Sequence, residues 1–275
     1  MIENKQQGQK VERRDETFAE AIETKIWCET ASESNPYIAQ KNLVHGYDHL
    51  ELMAKKSYSE MTFLMLKGEL PGKDELALFD ATLVALSNLG PRHAATRAVM
   101  NASVSKTDIT HLLPLALSIL SGAHLGAKEV FDSVRFIRKN MNKDPEAVLA
   151  TLLDAGDQKV HMPGFGARFG DVEIIPEQMA AQLASFVAAG KGLDWCQRLI
   201  GIAKEYNVGW FITGVASAAF VDLGFTPKAA AGLFQMAVSP GLLAHGIEMS
   251  NKPITAMPFV AEDKYHYMES GHGCD

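Results

Sequence analysis

The 275-residue sequence has little of what commits a chain early to one chemistry. It holds three cysteines, Cys28, Cys196 and Cys274, widely separated and with no CxxC pair. An odd, scattered set excludes a disulfide framework and a cysteine-built zinc site, and it fits a reducing compartment. A basic excess is also missing: Lys+Arg total 26 and Asp+Glu 33, a net charge of −7. Nucleic acid and anionic membranes are gripped through basic faces, so neither is an expected partner. The longest apolar run, Val208 to Val221, falls short of the ~18–20 residues that cross a bilayer, and it reads as a buried helix ended by Asp222. The first residues are polar and lack the apolar stretch of a signal peptide. Residues 1–20 are therefore expected as a frayed tail and the protein as cytoplasmic. No P-loop and no G-x-S-x-G is present. Gly164, Gly166 and Gly170 lack the strand and helix that flank a dinucleotide site. His266, His272 and Cys274 sit in a polar tail and read as solvated groups, so no metal and no bound cofactor is expected.

What the sequence does have is small residues and helical spacing. Twenty-two glycines and many alanines suit close helix packing. Apolar residues at Leu50, Met53, Ala54, Met61, Leu64 and Met65 recur every three or four positions, which predicts one helix over 50–66. Gly68 and Pro71 end it. Further helices are predicted over 74–89, 93–105, 109–121, 125–139, from Pro145, from Pro176, over 193–206 and 228–237, and over 242–249. Ser239-Pro240-Gly241 should interrupt the last two. The stretch 159–176 is the clear exception, with three glycines and two prolines, as in loops that bring backbone close to a ligand. No strand pair stands out. The fold class is all-α.

The order of short motifs carries more than any one of them. Val44-His45-Gly46-Tyr47-Asp48, then Leu66-Lys67-Gly68-Glu69-Leu70-Pro71, then Gly90-Pro91 with Ala95-Thr96-Arg97 come first. Ser121-Gly122, Pro163-Gly164-Phe165-Gly166, Asn207-Val208 and Gly241-Leu242-Leu243-Ala244-His245 follow. This series, spanning about 25–253, resembles the citrate synthase superfamily, closest to citryl-CoA lyases and the lyase module of ATP-citrate lyase. The resemblance implies a two-domain helical fold with the small domain inserted in the large one. The large domain would comprise 1–131 and 213–275, and the small domain 132–212. It also implies a homodimer, and a cleft binding a carboxylate and an acyl-CoA, the latter as substrate.

The family's Claisen chemistry uses an Asp to take a proton from the acetyl group and two His to stabilise the enol and activate the partner carbonyl. Such groups act only within hydrogen-bond reach of the substrates. In register, the resemblance places Leu125 at the first His position (Ser121-Gly122-Ala123-His124-Leu125-Gly126). It places Ala167 at the second (Gly164-Phe165-Gly166-Ala167-Arg168) and Gly209 at the Asp, after Asn207-Val208. Leu89 replaces a further His, and Val238 a carboxylate-binding Arg. None of these side chains moves a proton or pairs with a carboxylate.

The remaining polar candidates are few. His124, one residue before the family position and near a helix start, is the candidate catalytic residue; the alternative is a structural histidine. Arg168, His161, Arg92, His93 and the backbone of Gly164 and Gly166 are the candidate ligand-binding residues. Arg97 and His245 match family positions that are equally explained by packing. Three functions remain open. One is a diverged family member that keeps a cleft for a carboxylate or acyl-CoA ligand without ordinary His/Asp chemistry. The second is a non-catalytic partner or regulator that dimerises with an active homologue. The third is an acyl-CoA C–C lyase or synthase using His124 and Arg168.

Overall fold

The computed structural model describes residues 18, 20–153 and 162–268. His161, most of the tail 1–20, His272 and Cys274 lie outside them. The chain divides into two compact units, 1–56 and 57–275.

The first unit corrects the absence of strands. β1 (Trp27–Ala31) pairs antiparallel with β2 (Ala39–Val44), and β2 with β3 (Tyr47–Asp48). Nothing in β1 alternates, because all five of its residues are exposed, so periodicity had no signal to offer. His45 and Gly46 turn β2 into β3 with φ of 47° and 86°, the left-handed pair that a two-residue hairpin needs. Asp48 then caps α1 (His49–Lys55): its Oδ1 accepts from the N–H groups of Leu50 and Glu51 at 3.0 and 3.2 Å. Those donors hold its carboxyl below the usual range.

The helix expected over 50–66 is two helices. Lys56 is extended, and Ser57 opens α2 (Tyr58–Lys67) with a reciprocal capping box to Glu60. Gly68 ends α2 at φ 82°. Next come α3 (Lys73–Leu86), α4 (Ala94–Val104), α5 (Ile109–Leu120), α6 (Ala127–Asn140) and α7 (Pro145–Leu153). The two-residue strands β4 (Phe165–Gly166) and β5 (Gly209–Trp210) bracket α8 (Ile174–Ala184) and α9 (Lys191–Ala203). α10 (Ile212–Asp222) and α11 (Pro227–Ser250) complete the set. The architecture is all-α, as expected.

α10 is the centre of the second unit. Every residue from Thr213 to Val221 is buried, and Gly214, Ala216, Ser217, Ala218 and Ala219 let α6 and α9 approach. At one end Phe63, Phe79, Phe220 and Phe225 stack edge-on or tilted, with centroids 5.2–5.9 Å apart. α11 packs on α4, α5 and α6. It runs unbroken through Pro240, contrary to expectation. Tertiary contact overrides the local signal: the Gly241 N–H bonds outward to Ser87 O at 2.9 Å, and a Cβ at Gly241 would stand 2.5 Å from that oxygen. The continuous helix also exceeds the sequence reading in length: its 24 residues are apolar enough to cross a bilayer by length and composition.

Candidate functional site

The candidate site is built on the start of α4, which bonds to Leu125 just before α6, and on the glycine loop, whose Arg168 lies within electrostatic reach of it. His93 is the N-cap of α4 and is 6% exposed. Its Nδ1 accepts from the Ala95 N–H at 3.2 Å, which leaves Nε2 to donate to Leu125 O at 3.0 Å. The ring is thereby fixed as the neutral Nε2–H tautomer. Burial pushes the imidazole below its ordinary value; the bond to Leu125 opposes this, while the charges of Arg168 and His124 add to it.

Leu125 is held from both sides. Its carbonyl takes the His93 bond, and its N–H donates to Glu129 Oε2 at 2.9 Å. The same oxygen accepts from Thr213 Oγ1 at 2.7 Å, which ties α6 to α10. Leu125 sits at φ 53°, a region a bulky residue leaves unless its neighbours fix it. Its side chain is 3% exposed and joins the core. His124 beside it is exposed. The next residue, Gly126, is obligatory, since a Cβ there would stand 2.4 Å from Gly122 O.

The glycine loop is pinned by backbone. Phe165 pairs with Trp210 and Gly166 with Gly209, and the Phe165 and Trp210 rings meet edge-on at 5.1 Å. The Phe211 N–H donates to Gly164 O at 3.0 Å. Beyond the strand pair, Arg168 and Asp171 exchange backbone bonds around a Phe169-Gly170 turn at φ 56° and 89°. Asn207, itself left-handed, donates its side-chain amide to Gly170 O at 3.0 Å. Arg168 lies against Glu173 at 3.4 Å and over the Phe169 ring at 5.0 Å.

The structure thus places both His124 and Arg168 within electrostatic reach of His93, and joins Arg168's loop to the Asn207-Val208-Gly209 segment. Ala167 and Arg92 are exposed. Gly209 is buried, and a Cβ on it would stand 2.8 Å from Val172 Cβ and 2.9 Å from its Cγ1. Leu89 packs against the core, and Val238 is fully buried within it. His245 lies 3.3 Å from Asn88 Oδ1. Sequence reasoning missed Glu129 and Thr213. The signal for Glu129 was present, since an acid three residues after the N-cap glycine is placed to reach back. Among the described residues no three His, Cys, Asp or Glu gather as a metal-ligand set.

Comparison with solved structures decides the fold. Citryl-CoA lyase from Hydrogenobacter thermophilus superposes with a TM-score of 0.75 at 19% identity, over 92% of this chain and 97% of that one. This chain has the citrate-synthase-like fold. ATP citrate lyase from Methanothrix soehngenii, solved with citrate and coenzyme A, matches at a TM-score of 0.71 and 17% identity. That match covers 93% of this chain but only 44% of the larger protein. Citrate synthase from Thermoplasma acidophilum, solved with carboxymethyl coenzyme A and oxaloacetate, matches at 0.60 and 19%, over 80% of this chain and 59% of that one. No protein-family model matches the sequence, and no curated protein matches it. Within the citrate-synthase-like fold the buried, neutral His93 is a measurable feature. Unfolded histidine titrates near pH 6.5 and folded His93 lower, so between the two the unfolded chain binds more protons. Stability is full above pH ~6.5 and falls as pH drops through that window. Urea melts from pH 7 to 5 should show a steeper loss for the wild type than for His93→Gln; parallel profiles would mean that His93 titrates as a solvated group.

Proposed function

We propose that this protein is a diverged member of the citrate synthase superfamily that binds a carboxylate or CoA thioester and does not run ordinary His/Asp Claisen chemistry. One observation carries the second half: Val172 occupies the space a side chain at Gly209 would need, so an acid cannot stand there without rearrangement. The buried Leu125 and the inert Ala167 support the same reading. The first half rests on Arg168 and His124 both lying within electrostatic reach of His93, and on the citrate and coenzyme A held by the Methanothrix protein. On this reading the segment 132–212 is the inserted small domain, and the location is cytoplasmic.

The assembly expected is a dimer. Leu115 and Ile119 stand 37% and 43% exposed one turn apart on α5, an apolar face that suits a helical interface. Calorimetric titration of the protein with coenzyme A, acetyl-CoA, citrate and oxaloacetate is the test, with light scattering on the same sample for mass. The expected result is binding of at least one ligand, at least tenfold weakened by Arg168→Ala, with no citrate or citryl-CoA turnover. No binding by any of the four sinks the ligand reading. Turnover abolished by His124→Ala would establish the lyase or synthase reading in its place. A monomer that dimerises only when mixed with an active homologue would establish the regulator reading.

A further inference from the structure

The chain is acidic overall, yet the last two turns of α6 carry Arg135, Arg138 and Lys139, which line one pocket of about 460 Å³ with Asp132, Phe136 and Pro227. The charges in it are unevenly committed. Asp132 is taken by Lys128. Arg138 donates to the carbonyls of Phe225 and Gly224 at 2.7 and 3.3 Å, so its position is fixed while its charge stays at the pocket. Arg135 rests over the Phe131 ring at 5.7 Å, and neither it nor Lys139 pairs with an acid among the described residues. Arg135 and Lys139 are four residues apart on one helix face, an arrangement of like charges that costs stability unless an anion fills it.

A second pocket of about 350 Å³ continues from the first through Phe136 and Lys139. It adds Lys143 and an apolar wall of Ala147, Val148 and Leu152. Phe136 is steadied between them by Trp195, whose ring centre lies 6.0 Å away. Cations gather in the first pocket, and the second adds aliphatic carbon beyond Lys139 and Lys143, which together fit a ligand with a compact anionic head and a short apolar tail. Two flexible or fork-shaped cations one turn apart grip the several oxygens of a phosphate better than a single carboxylate.

We propose that this groove is a binding site for an organic phosphate, separate from the His93–Arg168 site. Arg135 and Lys139 hold the head, Arg138 adds fixed charge, and Val148 and Leu152 receive the tail. The site lies roughly 12 Å or more along α6 from Leu125, at the 1.5 Å rise of a helix.

The test is calorimetric titration with inorganic pyrophosphate and with octyl phosphate below its micelle concentration. Both should bind the wild type, octyl phosphate more tightly. Arg135→Ala/Lys139→Ala should weaken both at least tenfold, with a thermal melt no lower than the wild type's because both side chains are exposed and their mutual repulsion is relieved. Leu152→Asp should weaken octyl phosphate and leave pyrophosphate alone. Binding to Arg168→Ala should match the wild type, which separates this site from the one beside the glycine loop. Co-sedimentation with phosphatidic acid vesicles, lost in the double variant, would identify a lipid headgroup as the source. Sedimentation of neither protein, with free phosphate still bound, would identify a soluble one. Equal affinity in the wild type and the double variant, or no binding of either free probe, overturns the proposal.

Discussion

Asp222→Ala should destabilise the protein by about 3 kcal/mol, the loss of hydrogen bonds to a charged acceptor from three N–H groups, of which those of Gly192 and Leu193 are buried. Asp222 is the last residue of α10, yet it caps a different helix. Its carboxylate accepts from the N–H groups of Gly190, Gly192 and Leu193 at 2.7, 2.6 and 3.1 Å. These are the first donors of α9, whose own N-cap, Gly190, has no side chain to offer. A negative charge at a helix start adds a favourable dipole interaction. The glycines make the approach possible, since a Cβ on Gly192 would stand 2.7 Å from Asp222 Oδ1. Burial pushes the carboxyl up, and the three N–H bonds pull the other way. α9 sends Trp195, Cys196, Leu199 and Ile200 into the core, so a loosened start reaches well beyond the cap. For a unit of this size, about 3 kcal/mol corresponds to a fall of roughly 6–12 °C in Tm. Asp222→Asn keeps the shape but puts a donor against a donor, and should fall between wild type and alanine. An alanine variant within 1 kcal/mol of wild type, by urea melt, would falsify the capping role.

That contact marks where sequence reading stops. Asp222 looked like the end of an apolar run, because its partners lie 29 to 32 residues earlier. Helix ends set by their own neighbours were legible. Gly68 sits left-handed after α2, Pro145 opens α7, and Thr226 caps α11 from just before Pro227. Ser57 with Glu60 was equally local, but apolar spacing ran straight across it and masked the break. Pro240 misled for the opposite reason, since the outward bond from Gly241 to Ser87 is invisible in the sequence. The candidate site divides the same way. The register that put Leu125, Ala167 and Gly209 at the catalytic positions came from short motifs. What surrounds those residues did not: Glu129 meets Thr213 across 84 residues, and Val172 fills the space beside Gly209 only once β4 and β5 pair.

The largest loss from the smallest change is expected at the crossing that holds the glycine loop. Gly214 lies in the first turn of α10, and a Cβ there would stand 2.2 Å from Gly164 O and 3.1 Å from the Phe165 ring. The Gly164 carbonyl has no freedom to retreat, since it accepts from the Phe211 N–H at 3.0 Å. Gly164 is at φ 87°, and a Cβ on it would stand 2.6 Å from Ser133 Oγ. Two backbones therefore touch where neither can yield as a side chain tip would. Gly214→Ala must part β4 from β5, and with them the Phe165–Trp210 contact and the anchor of Arg168. The expected cost is about 3 kcal/mol or more, at the upper end for overpacking a core. Gly232→Ala supplies the contrast. Gly232 is an exposed residue inside α11, with nothing within 4 Å of its missing Cβ, and alanine there should stabilise by up to about 1 kcal/mol. The same methyl group is thus predicted to act with opposite sign at two helical glycines of one protein. Denaturant melts of the two variants decide it: if both stabilise, Gly214 is an ordinary helical glycine and the loop beside His93 is not held by this contact.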